Sequence, residues 1–170
     1  MSLHFFVSEY SSTFDNYLKF LLEHHSELNL PYDFAMKLSF ITSPILFGKV
    51  ILCVDEEEHR LEGALGYVYG TGANDYQDKD ICQIEVAFCK SSLRSTPLFL
   101  RGLKYFTAFV SEDNKEVKQI QFWASAEDHR LRRLFSKIDA MQRTEVGELD
   151  FYKISLDALK SYCDRFFRKR

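Results

Sequence analysis

Apolar and polar residues alternate from Ile81 to Cys89. Ile84, Val86 and Phe88 fall on one face of an extended strand, and Gln83, Glu85, Ala87 and Cys89 on the other. A short polar stretch, KSSLRST, follows. The period then changes, because Phe99, Leu103, Phe106 and Val110 recur at helical spacing and predict an amphipathic helix. Thr96 suits its N-cap and Pro97 its first helical position. Strand, polar loop and helix N-terminus together offer backbone N–H groups to an anion such as a phosphate.

Upstream, residues 5–8 form a short apolar piece, and Ser11, Ser12 and Thr13 offer N-caps to the helix that follows. Phe14, Tyr17, Leu18, Leu21, Leu22 and Leu28 mark that helix by their spacing. Pro31 interrupts it, residues 32–39 predict a second short helix, and Ser43-Pro44 ends the segment. Residues 49–54 (KVILCV) and 62–70 (EGALGYVYG) predict a β-hairpin across the acidic turn DEEEHR. Residues 71–80 carry no apolar periodicity and form a loop.

Downstream, residues 119–124 (QIQFWA) predict a strand and residues 125–137 a helix burying Leu131, Leu134, Phe135 and Ile138. Residues 140–146 and 149–154 pair across Gly147, and Leu159, Tyr162, Cys163 and Phe166 mark a last helix from near Ser155. The order β-α-α-β-β-β-α-β-α-β-β-α mixes hairpins with helical crossovers. It predicts one α/β domain over residues 1–170, a mixed sheet of about seven strands with helices on both faces.

Composition narrows the function. With 46% apolar residues and 16 Phe, the chain can bury a sizeable core. A net charge of −3 argues against a nucleic-acid partner. No apolar run reaches membrane-spanning length, and MSLHFFVSEYSS lacks the basic region and long apolar stretch of an export signal. Cys53, Cys82, Cys89 and Cys163 have no CxxC spacing, and the three in strand-like apolar runs, Cys53, Cys82 and Cys89, read as small buried hydrophobes, in keeping with a reducing cytoplasm.

Two basic clusters, Arg130, Arg132, Arg133 and Lys137, and Arg165, Arg168, Lys169 and Arg170, read as solvated helix faces or ends. His24 and His25 lie at a helix end, His59 in a turn and His129 on a basic helix, none with zinc-ligand spacing to the cysteines. No G-x-S-x-G or G-x-x-x-x-G-K-[ST] sequence is present.

Glu85-Val86-Ala87-Phe88-Cys89, within this element order, resembles the fourth strand of the GNAT superfamily of N-acetyltransferases, and the resemblance covers nearly the whole chain. It implies acetyl-CoA as co-substrate, lying between the strand ending at Cys89 and the strand ending at Ala124. The pantetheine arm would pair with the backbone of Ala87, Phe88 and Cys89. Glu85 would be the general base for the acceptor amine, because an ammonium must lose a proton before its lone pair can attack a thioester.

The family's pyrophosphate loop, Q/R-x-x-G-x-G/A, aligns with Arg94-Ser95-Thr96-Pro97-Leu98-Phe99. Arg94 matches, while Pro97 and Phe99 replace the two glycines. Proline donates no N–H, so Arg94, Ser95, Thr96, Leu98, Phe99 and Leu100 are the expected phosphate-side contacts. A later motif, N-x-x-A-x-x-L-Y-x-K-x-G-F, aligns from Asp128, with Leu134 and Lys137 matching. Asp128 replaces its asparagine as a cofactor contact and Phe135 its tyrosine, whose hydroxyl commonly protonates the leaving thiolate. Water, Tyr105 or Tyr152 would have to serve, or the thiolate would leave unassisted.

The expectation is thus a cytoplasmic CoA-dependent N-acetyltransferase acting on an amine of a small molecule or peptide. It has no metal, nucleic-acid or membrane partner, and a homodimer remains open. The acceptor would be recognised by the first two helices and the loop 71–80. The alternative is a binding protein of the same fold that has lost turnover, as the replacements at Pro97, Phe99 and Phe135 suggest.

Overall fold

The computed structural model describes residues 1–94 and 97–168. Its elements run β1 (Leu3–Val7), α1 (Ser11–Glu23), α2 (Phe34–Phe47), β2 (Gly48–Asp55), β3 (Arg60–Tyr69) and β4 (Ile81–Cys89). Then follow α3 (Leu98–Asp113), β5 (Gln119–Ser125), α4 (His129–Phe135), β6 (Gln142–Val146), β7 (Leu149–Ser155) and α5 (Leu156–Arg168). This is the order the hydrophobic pattern predicts. The strands make one open mixed sheet in the order β1-β2-β3-β4-β5-β7-β6. β2 pairs antiparallel with β1 and β3, and β7 pairs antiparallel with β5 and β6.

The chain divides into two compact units. The first comprises Met1–Leu28, Tyr32–Val68 and Ile84–Gly102. On one face of its strands, Tyr17, Phe20 and Leu21 of α1 and Ile41 of α2 pack on Val50, Leu52, Ala64, Val86 and Phe88. On the other, Leu93 and Leu98 pack with Cys53, Leu3 and Phe5. Helical segments therefore cover both faces within this unit.

Two local expectations change here. The second helix does not stop before Pro44 but runs through it to Phe47, with Asp33 as N-cap accepting from Met36 N at 2.8 Å. A proline inside a helix forfeits one hydrogen bond, and tertiary packing offsets that loss. A Cβ on Gly66 of β3 would lie 2.7 Å from Pro44 Cγ and 2.6 Å from the Tyr17 hydroxyl, so glycine makes the room both side chains use. The N-cap position of α1 is Tyr10, without a side-chain cap, while Ser11, Ser12 and Thr13 fall inside the first turn.

The second unit comprises Asn29–Pro31, Tyr69–Gln83 and Leu103–Arg170. α4 is shorter than its sequence suggests, because Asp128 caps it by accepting from Leu131 N at 3.0 Å. Phe135 and Ile138 are buried, Leu131 and Leu134 half-buried. Gly147 turns the β6–β7 hairpin with a φ of 61°. Every residue of β6, the last strand in the sheet order, is exposed.

Alternation on β7 buries Asp150, whose side chain has no exposed surface. Arg132 of α4 holds it through Nε at 2.6 Å and Nη2 at 3.0 Å, and Arg143 of β6 through Nη1 at 2.9 Å. Arg132 thus leaves the solvated basic face to which its sequence neighbours assign it. Burial pushes the Asp150 carboxyl up, but the two guanidinium groups outweigh that and hold it below the usual carboxylate range.

The folded pKa lies under the unfolded value of about 3.9. This contribution is therefore present above that pH and lost as pH falls through the folded value. Asp150→Asn is expected to cost about 2–3 kcal/mol at neutral pH by weakening charged hydrogen bonds. It should also flatten the fall in stability below about pH 4. Urea melts across pH check this, and an unchanged neutral-pH midpoint would refute it.

Candidate active site

The C-terminal half of β4 carries four of the sequence-predicted site residues, Glu85, Ala87, Phe88 and Cys89. Glu85 is half-buried, Ala87 exposed, Phe88 buried and Cys89 half-buried. Burial, and then the negative charge of Glu85, push up the hydroxyl pKa of both Tyr17 and Tyr32. Tyr17 is committed, since its hydroxyl donates to the Ile41 carbonyl at 2.7 Å. Tyr32 stacks on Phe40 with ring centroids 5.3 Å apart. Glu85 therefore sets a carboxylate within electrostatic reach of α1 and of the segment leading into α2. A carboxylate there can attract an ammonium and accept its proton.

Arg94, expected at the phosphate side, bridges elements of the same unit. Its Nε donates to the Cys89 carbonyl at 3.1 Å and its Nη2 to Glu27 Oε2 at 3.1 Å. The guanidinium carbon lies 5.3 Å from the Phe88 ring centroid. Glu27 also pairs with His24 Nδ1 at 2.9 Å, and the His24 ring stacks on Phe88 at 4.9 Å. Hydrogen bonding from His24, with Arg94 adding to it, holds the Glu27 carboxyl below its usual range. Sequence reasoning left His24 as a helix-end histidine and did not single out Glu27. The His24/Glu27 spacing was the available signal, but nothing local ties either to Arg94, 67 residues after Glu27.

Ser95 and Thr96, with the predicted Thr96 cap, lie outside the described residues. Pro97 is exposed in a turn, and α3 begins at Leu98 rather than at the proline. Leu98 and Leu100 are buried and Phe99 half-buried, so the two leucine side chains serve the core. The first printed helical bond of α3 runs from Arg101 N to Pro97 O at 2.9 Å. A guanidinium is the charged donor on this segment that suits a phosphate oxygen.

In the second unit, Asp128 accepts from Leu131 N and from the Asn29 side chain, so it caps α4 and tethers an upstream residue. Phe135 is 3% exposed and lies against Phe122 and Tyr152, with centroids 5.0 and 5.2 Å away. Tyr152, one candidate proton donor, is buried, and its hydroxyl points to Asp150 at 3.4 Å. Burial and the Asp150 charge push its pKa up to about 12. Among the described residues, no three His, Cys, Asp or Glu side chains group as a metal site.

No family model matches the chain, and no curated protein matches it. Solved structures do. An acetyltransferase of the GNAT family from Staphylococcus aureus aligns with a TM-score of 0.68 at 12% identity, covering 91% of this chain and 99% of its own. A ribosomal-protein-S5-alanine acetyltransferase from Vibrio fischeri gives 0.61 at 10% identity, covering 91% and 92%. A GNAT-family acetyltransferase from Listeria monocytogenes gives 0.57 at 14% identity, covering 89% and 94%. At these identities the likeness is one of fold, and the fold of this chain is that of the GNAT acetyltransferases.

Proposed function

We propose that the chain is a single-domain, cytoplasmic CoA-dependent N-acetyltransferase acting on an amine of a small molecule or peptide. The observation that carries this reading is Glu85, a half-buried carboxylate on β4 whose charge reaches Tyr17 and Tyr32, in a fold shared with acetyltransferases. In support, 99% of one such enzyme is covered by this chain alone, and no described helix is long and apolar enough to cross a membrane.

Acetyl-CoA would supply the acetyl thioester. Arg94 and the first-turn amides of α3 would hold its diphosphate, Arg94 exchanging Glu27 for phosphate, and the backbone from Ala87 to Cys89 would lie along the pantetheine arm. Glu85 attracts the acceptor ammonium and takes its proton, directly or through one water, leaving the lone pair free to attack. Phe135 has no proton to give, so the thiolate departs unassisted or is protonated by water or by another tyrosine such as Tyr105.

Calorimetry with acetyl-CoA and with CoA tests the reading, with binding of both expected. No heat at millimolar ligand would replace it with the alternative, a binding protein of this fold without turnover. The proline at position 97 and the engagement of Arg94 by Glu27 favour that alternative.

A further inference from the structure

A depression of about 350 Å³ lies within the second unit, walled by the loop between β3 and β4 and floored by β4, β5 and β7. The wall is built rather than slack. Asp78 accepts from Thr71 N at 2.6 Å, Thr71 Oγ1 at 2.7 Å and Asn74 Nδ2 at 3.0 Å. Asp75 and Tyr76 take left-handed backbone with φ of 49° and 58°, held by bonds from Tyr76 N to Thr71 O and Gln77 N to Asn74 O. Gly70, at φ 81°, allows the closure, since a Cβ there would meet the Tyr76 backbone at 2.7 Å. Non-glycine residues held this way persist only where their surroundings over-determine them.

The floor carries two chemistries. Trp123 and Phe151 face each other across the β5–β7 pair with centroids 4.6 Å apart, both half-buried. Beside them runs a ladder of primary amides, with Gln119 Nε2 donating to Gln121 Oε1 at 3.0 Å and Gln121 Nε2 to Gln83 Oε1 at 2.7 Å. Gln121 is only 8% exposed and lines the depression. It uses one of its two N–H groups and one of its two acceptor sites, keeping one of each. A peptide group presents the complementary pair, one C=O and one N–H.

Charge and size narrow the ligand further. Among the described residues Asp78 alone brings a charge to the lining, and its oxygens already hold the wall together, so a cation would compete with the loop for them. A volume near the lower end of ligand sites suits one large side chain with its adjoining amide rather than an extended molecule.

We infer that this pocket binds an aromatic or branched aliphatic side chain of a peptide together with the neighbouring backbone amide.

Trp123 is the only tryptophan in the chain, so its emission reports on the pocket without any CoA present. N-acetyl-phenylalaninamide and N-acetyl-leucinamide should change that emission saturably. Phenethylamine and glucosamine, which lack the amide or the apolar group, should bind at least about tenfold more weakly, and Gln121→Leu should weaken N-acetyl-phenylalaninamide by about tenfold. Phe151→Leu, at a half-buried position, replaces that variant if Gln121→Leu does not fold, and should weaken the phenylalanine probe more than the leucine probe.

No saturable emission change and no saturation-transfer NMR signal with N-acetyl-phenylalaninamide would overturn the inference. So would phenethylamine binding as tightly as the amide. Either failure leaves acetyl transfer to other amines standing. Conversely, amide binding without acetylation of peptides in the presence of acetyl-CoA keeps the pocket and removes the catalytic reading for them.

Discussion

Glu85→Gln is expected to lower turnover by about 100- to 10,000-fold near neutral pH, the usual range for loss of a general base. The substitution keeps the size of the side chain and removes only its charge and basicity, so a folded variant isolates the chemistry. The pH dependence carries the decisive information. An amine acceptor is mostly protonated at neutral pH and becomes reactive by itself as the medium turns alkaline. The deficit should therefore be largest near neutrality and shrink toward high pH. A second signature follows from the electrostatics: burial and the Glu85 charge raise the Tyr32 hydroxyl pKa, so Glu85→Gln should shift its titration downward. An unchanged pH–rate profile in a folded Glu85→Gln protein would remove Glu85 from the mechanism.

Phe135→Ala is expected to destabilise the protein by about 3–5 kcal/mol, as for other buried aromatic truncations. At this chain length that is a fall in Tm of roughly 6–20 °C. The ring is almost wholly enclosed, and Phe122 and Tyr152, which flank it, are themselves stacked at 4.9 Å. They cannot readily close over the space it would leave. A Tm within experimental error of the parent would show that the ring is not part of the packed interior. Phe135→Tyr addresses the chemistry at the same position. If protonation of the leaving thiolate limits turnover, the added hydroxyl should raise it. Substantial but unchanged turnover would mean that the acid lies elsewhere or is not needed.

The element order could be read from the sequence because each segment keeps one hydrophobic period over most of its length. β4 shows this best, since its alternation locates both ends correctly. Where the reading failed, a residue's local meaning was overridden by a distant partner. Pro44 looks like a stop signal, yet α2 passes through it because Gly66, 22 positions later, leaves space. Arg132 looks solvated until α4 sets it against Asp150, itself a charge on a buried face that alternation alone would assign to an apolar residue.

At the candidate site, Glu85 is singled out only by resemblance to a family motif, because a single glutamate on a strand has no local signature of a general base. The tie joining His24, Glu27 and Arg94 was not legible, since it depends on how the turn after α1 meets the end of β4. The amide ladder was hidden for a similar reason. Gln119 and Gln121 look like the wet face of a strand until Gln83 on its neighbour completes the series.

The exposed outer strand β6 has a consequence for how the protein behaves in a crowded solution. A terminal strand presents a row of backbone donors and acceptors that another chain can extend, the usual route to edge-to-edge aggregation. Here the strand is only five residues long and reads QRTEV, with Arg143 and Glu145 both engaged in ion pairs on the strand and its neighbours. An incoming strand would have to settle beside fixed charges of both signs and desolvate them. The same salt bridges that neutralise Asp150 thereby guard the open side of the sheet, and their loss should show as a greater tendency to aggregate as well as a lower melting point.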